Sequence, residues 1–202
     1  PVVEKKWIVK EPGNPALVRQ LAQEVGIDQV LANLLVQRGI KTYEQAMEFF
    51  RPDLSMLHDP MLLPDMEKAC ERIKFAIDSN EKITIFGDYD ADGVTSTALL
   101  YSYLSEAGAN VDYYIPSRKG EGYGVSVGAI DSIKEGGTTL IITVDTGITA
   151  NEEATYAKSV GVDFLITDHH ECKDILPEAI AVVDPHRIDG GYPHKNLSGV
   201  GV

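Results

Sequence analysis

Ile83-Thr84-Ile85-Phe86-Gly87-Asp88-Tyr89-Asp90-Ala91-Asp92-Gly93 is an apolar run that closes on three alternating carboxylates. The run Ile83 to Phe86 is short, β-branched and bounded by Gly87, the pattern of a strand buried on both faces. Two further apolar runs end in the same chemistry. Leu140 to Val144 is followed by Asp145, and Phe164 to Ile166 is followed by Asp168, His169 and His170. Between and beyond them lie helical stretches near Val94 to Glu106, Val125 to Lys134 and Asn151 to Ser159, and two more strand patterns at Val111 to Ile115 and Ile180 to Val183. Strands alternating with helices predict an α/β domain with a parallel five-stranded sheet flanked by helices.

Upstream the periodicity is helical. Asn14 and Pro15 start one helix and Gly26 ends it, a second spans about Asp28 to Arg38, and Thr42 caps a third that Pro52 closes. A fourth fits Asp65 to Ser79, where Met66, Ala69, Ile73, Ala76 and Ile77 form an apolar stripe suited to packing on the downstream part of the chain. The expected organisation is a small helical N-terminal region over 1–79 and an α/β domain over 80–202.

Three carboxylates crowded at one strand end raise each other's pKa or destabilise the fold unless a cation offsets the repulsion. In open α/β sheets ligands gather at the carboxyl ends of the strands, where Asp88, Asp90, Asp92, Asp145, Asp168, His169 and His170 all fall. Oxygen and imidazole donors without thiolates suit Mn2+ or Mg2+, and the two cysteines, Cys70 and Cys172, show no zinc-type spacing. Turns also use Asp and Gly, but turn chemistry does not account for acidic residues closing two other strands. The pattern implies a two-metal centre with Asp145 placed to bridge, hydrolysis at phosphorus, and a His170 side chain free to reach a phosphoryl oxygen or leaving group. A phospho-receiver pocket, which also gathers carboxylates at strand ends, has no use for the histidine pair.

The formal net charge of −13 argues against a generic polyanion binder and confines any nucleic-acid contact to local basic spots. Those spots are Arg118 with Lys119, beside the Gly120 to Gly124 loop, and the set His186, Arg187, His194 and Lys195. Apolar runs of membrane-spanning length and a signal-peptide pattern over Pro1 to Lys10 are both absent, so a cytoplasmic protein is expected.

The segment Asp88 to Gly93, the Val144-Asp145-Thr146-Gly147 stretch and the Asp168-His169-His170 triplet resemble the first three motifs of the DHH phosphoesterase family. Within it, Arg38-Gly39, Phe49 to Pro52, Asp59-Pro60, Glu121 to Gly124 and Asp184 to Arg187 resemble the branch of single-strand-specific 5′ to 3′ DNA exonucleases. The resemblance implies Asp90, Asp92, Asp145 and His169 as metal ligands, His170 as a metal or phosphate contact, and Asp88 as a further candidate ligand. Arg118 and Lys119, which follow the strand ending at Ile115 beside the glycine-rich loop, are the candidate substrate contacts; the resemblance implies catalytic roles for His170, Asp145 and Asp90 and a role in DNA repair and recombination. The partners it implies are single-stranded DNA, a single-strand binding protein and a helicase. Phe86 departs from it, standing where some members place a metal-binding histidine. The stretch also ends before the family's fourth motif, so weak or partial Mn2+ occupancy and no activity are expected of these residues alone. Alternatives within the family are hydrolysis of oligoribonucleotides, cyclic dinucleotides or pyrophosphate, and a non-catalytic replication scaffold.

Overall fold

The computed structural model describes residues 6–117, 120, 122 and 124–202. Two compact units divide between Leu57 and His58. The first contains α1 (Pro15–Val25), α2 (Gln29–Gln37) and α3 (Tyr43–Phe50). Their starts follow from local chemistry. The Asn14 side chain accepts from the amides of Ala16 and Leu17, that of Asp28 accepts from Val30, and Thr42 with Gln45 forms a reciprocal capping box. Val18, Leu21, Ala22, Ala32, Leu35, Val36 and Ala46 form a small core of their own.

The second unit begins with α4 (Met66–Asp78), which the sequence reading grouped with the N-terminal helices. Its stripe, including Ala69 and Ala76, is buried in the same apolar layer as the sheet, so compactness places the helix with the strands. The sheet comprises β1 (Lys82–Gly87), β2 (Asn110–Tyr114), β3 (Leu140–Val144), β4 (Asp163–Thr167) and β5 (Ala181–Val183), with α5 (Ala91–Glu106), α6 (Val127–Glu135) and α7 (Asn151–Ser159) as crossovers. All pairings are parallel and the order is β2-β1-β3-β4-β5. The chain therefore winds outward in both directions from β1 and β3, and the crevice at their carboxyl ends is the topological switch point.

Alternation along the strands feeds two apolar layers. Ile83, Ile85, Leu140, Ile142 and Leu165 pack on the α4 and α5 side, whereas Phe86, Ile141, Phe164 and Ile166 pack with Ala129, Ile130, Ala154 and Ala157 of α6 and α7. Phe86 is fully buried there and stacks on Tyr114, with ring centroids 5.4 Å apart. Its side chain belongs to the core, so no ligand is offered from that position.

Candidate metal centre

Asp88 and Asp90 occupy the turn from β1 into α5, and Asp92 lies in the first turn of the helix. That helix starts at Ala91, three residues before the position expected from periodicity, because the Asp90 carboxylate is its N-cap and accepts from the amides of Asp92 (2.9 Å) and Gly93 (3.0 Å). Gly93 makes the turn possible. A Cβ there would stand 2.6 Å from both the backbone nitrogen and oxygen of Asp88, so only glycine lets the first turn of α5 rest on the end of β1.

The other donors come from the adjacent strands. Asp145 leaves β3 in a left-handed conformation, φ 60°, with its side chain buried. Asp168 leaves β4 almost fully buried and gathers four donors. Its Oδ2 accepts from the Ile148 amide at 2.9 Å, and its Oδ1 accepts from the amides of His169 (2.7 Å) and His170 (3.2 Å) and from His170 Nδ1 (2.7 Å). That last bond fixes the His170 proton on Nδ1 in the neutral ring, leaving Nε2 as an open donor atom.

His169 is oriented the same way by a different acceptor. Its Nδ1 donates to the Leu197 carbonyl at 2.8 Å, since a carbonyl can only accept. In the neutral ring Nε2 is then bare, and it faces Asp145 Oδ1 at 3.0 Å. Among the described residues that buried oxygen has no hydrogen-bond partner. Two lone-pair atoms converge on one point, which is the arrangement a cation resolves.

Ligand atoms of Asp88, Asp90 and Asp145 lie within 4.8 Å of one another, and so do those of Asp145, His169 and His170. Asp145 is common to both groups. The electrostatics suit a cation. Burial pushes the Asp145 carboxyl up to about 6, with Asp92 and Asp90 adding repulsion, and burial also raises Asp88. Asp90 is held below its ordinary value, chiefly by the Gly93 amide. For His170 burial works against the charged ring, but the Asp168 carboxylate outweighs it and the net shift is upward.

Asp92 stands apart from both groups. Its Oδ2 accepts from the Gly199 amide at 2.7 Å and its Oδ1 from the Val200 amide at 2.8 Å, while Oδ2 remains 3.7 Å from His169 Nε2. The predicted basic set loses its arginine. Arg187 is buried, bound to Asp65, Asp189 and the Val182 carbonyl, which makes it a structural cation in place of a nucleic-acid contact. Arg118 and Lys119 lie outside the described residues. Two features escaped the sequence reading: the clamp role of Asp168, for which its place in the triplet was the one available signal, and the backbone of Leu197 to Val200.

The model of the DHH family, N-terminal domain, matches residues 82–202. The chain belongs to the DHH family. This DHH chain is 47% identical over 197 residues to the single-stranded-DNA-specific exonuclease RecJ of Bacillus subtilis, covering 98% of the chain and 25% of that protein. It is 38% identical over 174 residues to the Escherichia coli protein of the same name, covering 86% and 30%. Among solved structures, a crystal structure of exonuclease RecJ bound to manganese superposes with a TM-score of 0.66 at 33% identity, over 72% of this chain and 37% of that one. A manganese complex of RecJ from Thermus thermophilus gives 0.66 at 28% identity, over 95% and 26%. The DHH chain thus spans roughly a quarter to a third of the length of the curated relatives named.

Proposed function

We propose that this DHH chain forms the metal-binding part of a single-stranded-DNA-specific exonuclease that removes nucleotides from the 5′ end in DNA repair and recombination. The single observation that carries the reading is Asp145 shared between two donor groups on adjacent strand ends. The resemblance to manganese-bound RecJ and the all oxygen-and-imidazole donor set favour Mn2+ or Mg2+. The proposed holders are Asp88, Asp90, Asp145, His169 and His170, with Asp92 adding its remaining lone pairs. Bound there, two divalent ions supply Lewis acidity toward a phosphodiester and lower the pKa of an attacking water.

The protein residues divide the remaining work. Asp145 and Asp90 fix the positions of the donors and supply compensating negative charge. His170, about half exposed and tethered through Nδ1 to Asp168, offers Nε2 either to a metal ion or, in the protonated ring that Asp168 favours, as a donor to a phosphoryl or leaving oxygen. Arg118 and Lys119, which follow β2, are the proposed phosphate contacts. The organisation into a helical region over 1–79, whose last helix α4 packs on the sheet, and a DHH domain over 80–202 is part of the same proposal, as are a cytoplasmic location and partnership with a single-strand binding protein and a helicase. Among the described residues no helix is long and apolar enough to cross a membrane.

The test is Mn2+-dependent release of mononucleotides from 5′-labelled single strands by the full-length protein, beside its Asp145→Ala variant. Release by the parent alone supports the reading, and equal release by both overturns it. Arg118→Glu should weaken single-strand binding and flatten its salt dependence; unchanged binding removes Arg118 from the site.

A further inference from the structure

We infer that the backbone of Leu197 to Val200 is a positioning strap for the metal centre, and that Gly199 is the residue it cannot exchange. The inference rests on the metal-centre reading and concerns residues outside the proposed ligand set. Two of that set are hydrogen-bonded by this one short segment, by its main chain alone, and a third lies against it. The Leu197 carbonyl takes the Nδ1 proton of His169, while the amides of Gly199 and Val200 donate one each to the two oxygens of Asp92. Gly199 also lies directly against Asp145. A Cβ at Gly199 would fall 2.5 Å from Asp145 Oδ1 and 2.7 Å from its Cβ and Cγ.

The division of labour within the strap explains how a loop holds geometry. Leu197 and Val202 pack on the apolar layer shared by α4, α5 and the sheet, so side chains anchor the segment and leave its polar main chain turned to the site. Each carboxylate oxygen has two lone pairs, so an amide on each Asp92 oxygen orients the group without exhausting it. Such outer hydrogen bonds select the tautomer and direction of a ligand, and their loss costs about 10- to 100-fold in metal affinity. His169 and Asp92 are thereby fixed by the strap, and Asp145 lies against it.

Gly201 provides an internal control. A Cβ there would meet Ser198 Oγ at 3.4 Å and Leu197 side-chain atoms at 3.6 Å, which are ordinary contacts. The experiment compares the full chain, Gly199→Ala and Gly201→Ala by Mn2+ titration calorimetry, by 15N NMR of the His169 ring without metal, and by thermal melting. The parent and Gly201→Ala are expected to bind Mn2+ alike and to show one Nδ1-protonated His169 tautomer. Gly199→Ala is expected to melt cooperatively, to bind at least about tenfold more weakly, and to show a mixture of tautomers. Should Gly199→Ala not melt cooperatively, replacing Val200 by its α-hydroxy acid decides, because the backbone ester deletes one amide donor to Asp92 without adding bulk; it is expected to bind Mn2+ more weakly than the parent. A folded strap variant that binds Mn2+ like the parent and keeps the single tautomer overturns the strap. A parent chain that binds no Mn2+ overturns the metal-centre reading instead.

Discussion

His169 Nε2 and Asp145 Oδ1 stand 3.0 Å apart with no proton between them in the neutral tautomer that the Leu197 carbonyl selects. With neither a proton nor a cation between them the contact is repulsive, and a metal ion makes it favourable. Asp145→Asn converts it, since the amide nitrogen can donate to the bare Nε2 and Asn tolerates the left-handed backbone at this position. The metal-free variant should be more stable than the parent by about 1–2 kcal/mol and should fail to bind Mn2+. Thermal melting with a chelator and calorimetric titration measure the two effects, which run in opposite directions. A drop in metal-free stability would contradict the proposed tautomer.

Gly93 sits at the junction where α5 meets β1. A methyl group there meets main-chain atoms of Asp88, which cannot rotate away, so Gly93→Ala has to displace the helix start. The expected loss is at least about 2 kcal/mol, near the middle of the overpacking range. Urea denaturation should show a lowered midpoint with unchanged slope, accompanied by weaker Mn2+ binding because Asp88 and Asp90 lie on the same turn.

Arg187 joins the end of β5 to the start of α4, through Asp65 and the Val182 carbonyl, and is clamped on its other edge by Asp189. Arg187→Ala leaves the partly buried Asp65 carboxylate with only Lys68 and the Val182 amide and should cost about 1.5–3 kcal/mol. A phosphate-contacting arginine would behave differently, lowering the salt dependence of single-strand binding with little effect on folding. Melting curves and salt titrations on the same variant separate the two roles.

The Asp184 carboxyl is fully buried and is pushed up to about 6 by that burial, with one oxygen bound to the His186 amide at 2.7 Å and the other lacking a partner among the described residues. Its folded pKa lies above its unfolded one, so between about pH 4 and 6 the folded state holds more protons and stability falls as pH rises. Asp184→Asn removes this dependence. The parent's stability relative to the variant should decline by an amount on the order of 2 kcal/mol across that window, in denaturation series run with a chelator. A constant difference would show that Asp184 titrates normally.

The strand and helix rhythm of residues 82–183 was legible because its causes are local. Ile83 to Phe86, Leu140 to Val144 and Phe164 to Ile166 are apolar but for the buried Thr84 and Thr143, and a parallel strand buried on both faces needs nothing else to announce itself. The caps at Asn14, Asp28 and Thr42 were readable for the same reason, since each acts on an amide two or three residues away. The start of α5 was misjudged because Asp90 serves both as its cap and as a donor of the site, and periodicity registers neither.

The sequence by itself determined that acidic residues and a histidine pair would meet at the carboxyl ends of neighbouring strands, because strand direction in a parallel sheet sends every such end to the same edge. Only the tertiary structure decided what each side chain does there. It set Asp92 on the amides of Gly199 and Val200, more than a hundred residues away, sent Phe86 into the core, committed Arg187 to Asp65 and made Gly199 the neighbour of Asp145. Those choices depend on which distant main-chain groups arrive within hydrogen-bonding reach once the layers close, and residue order along the chain carries no record of that distance.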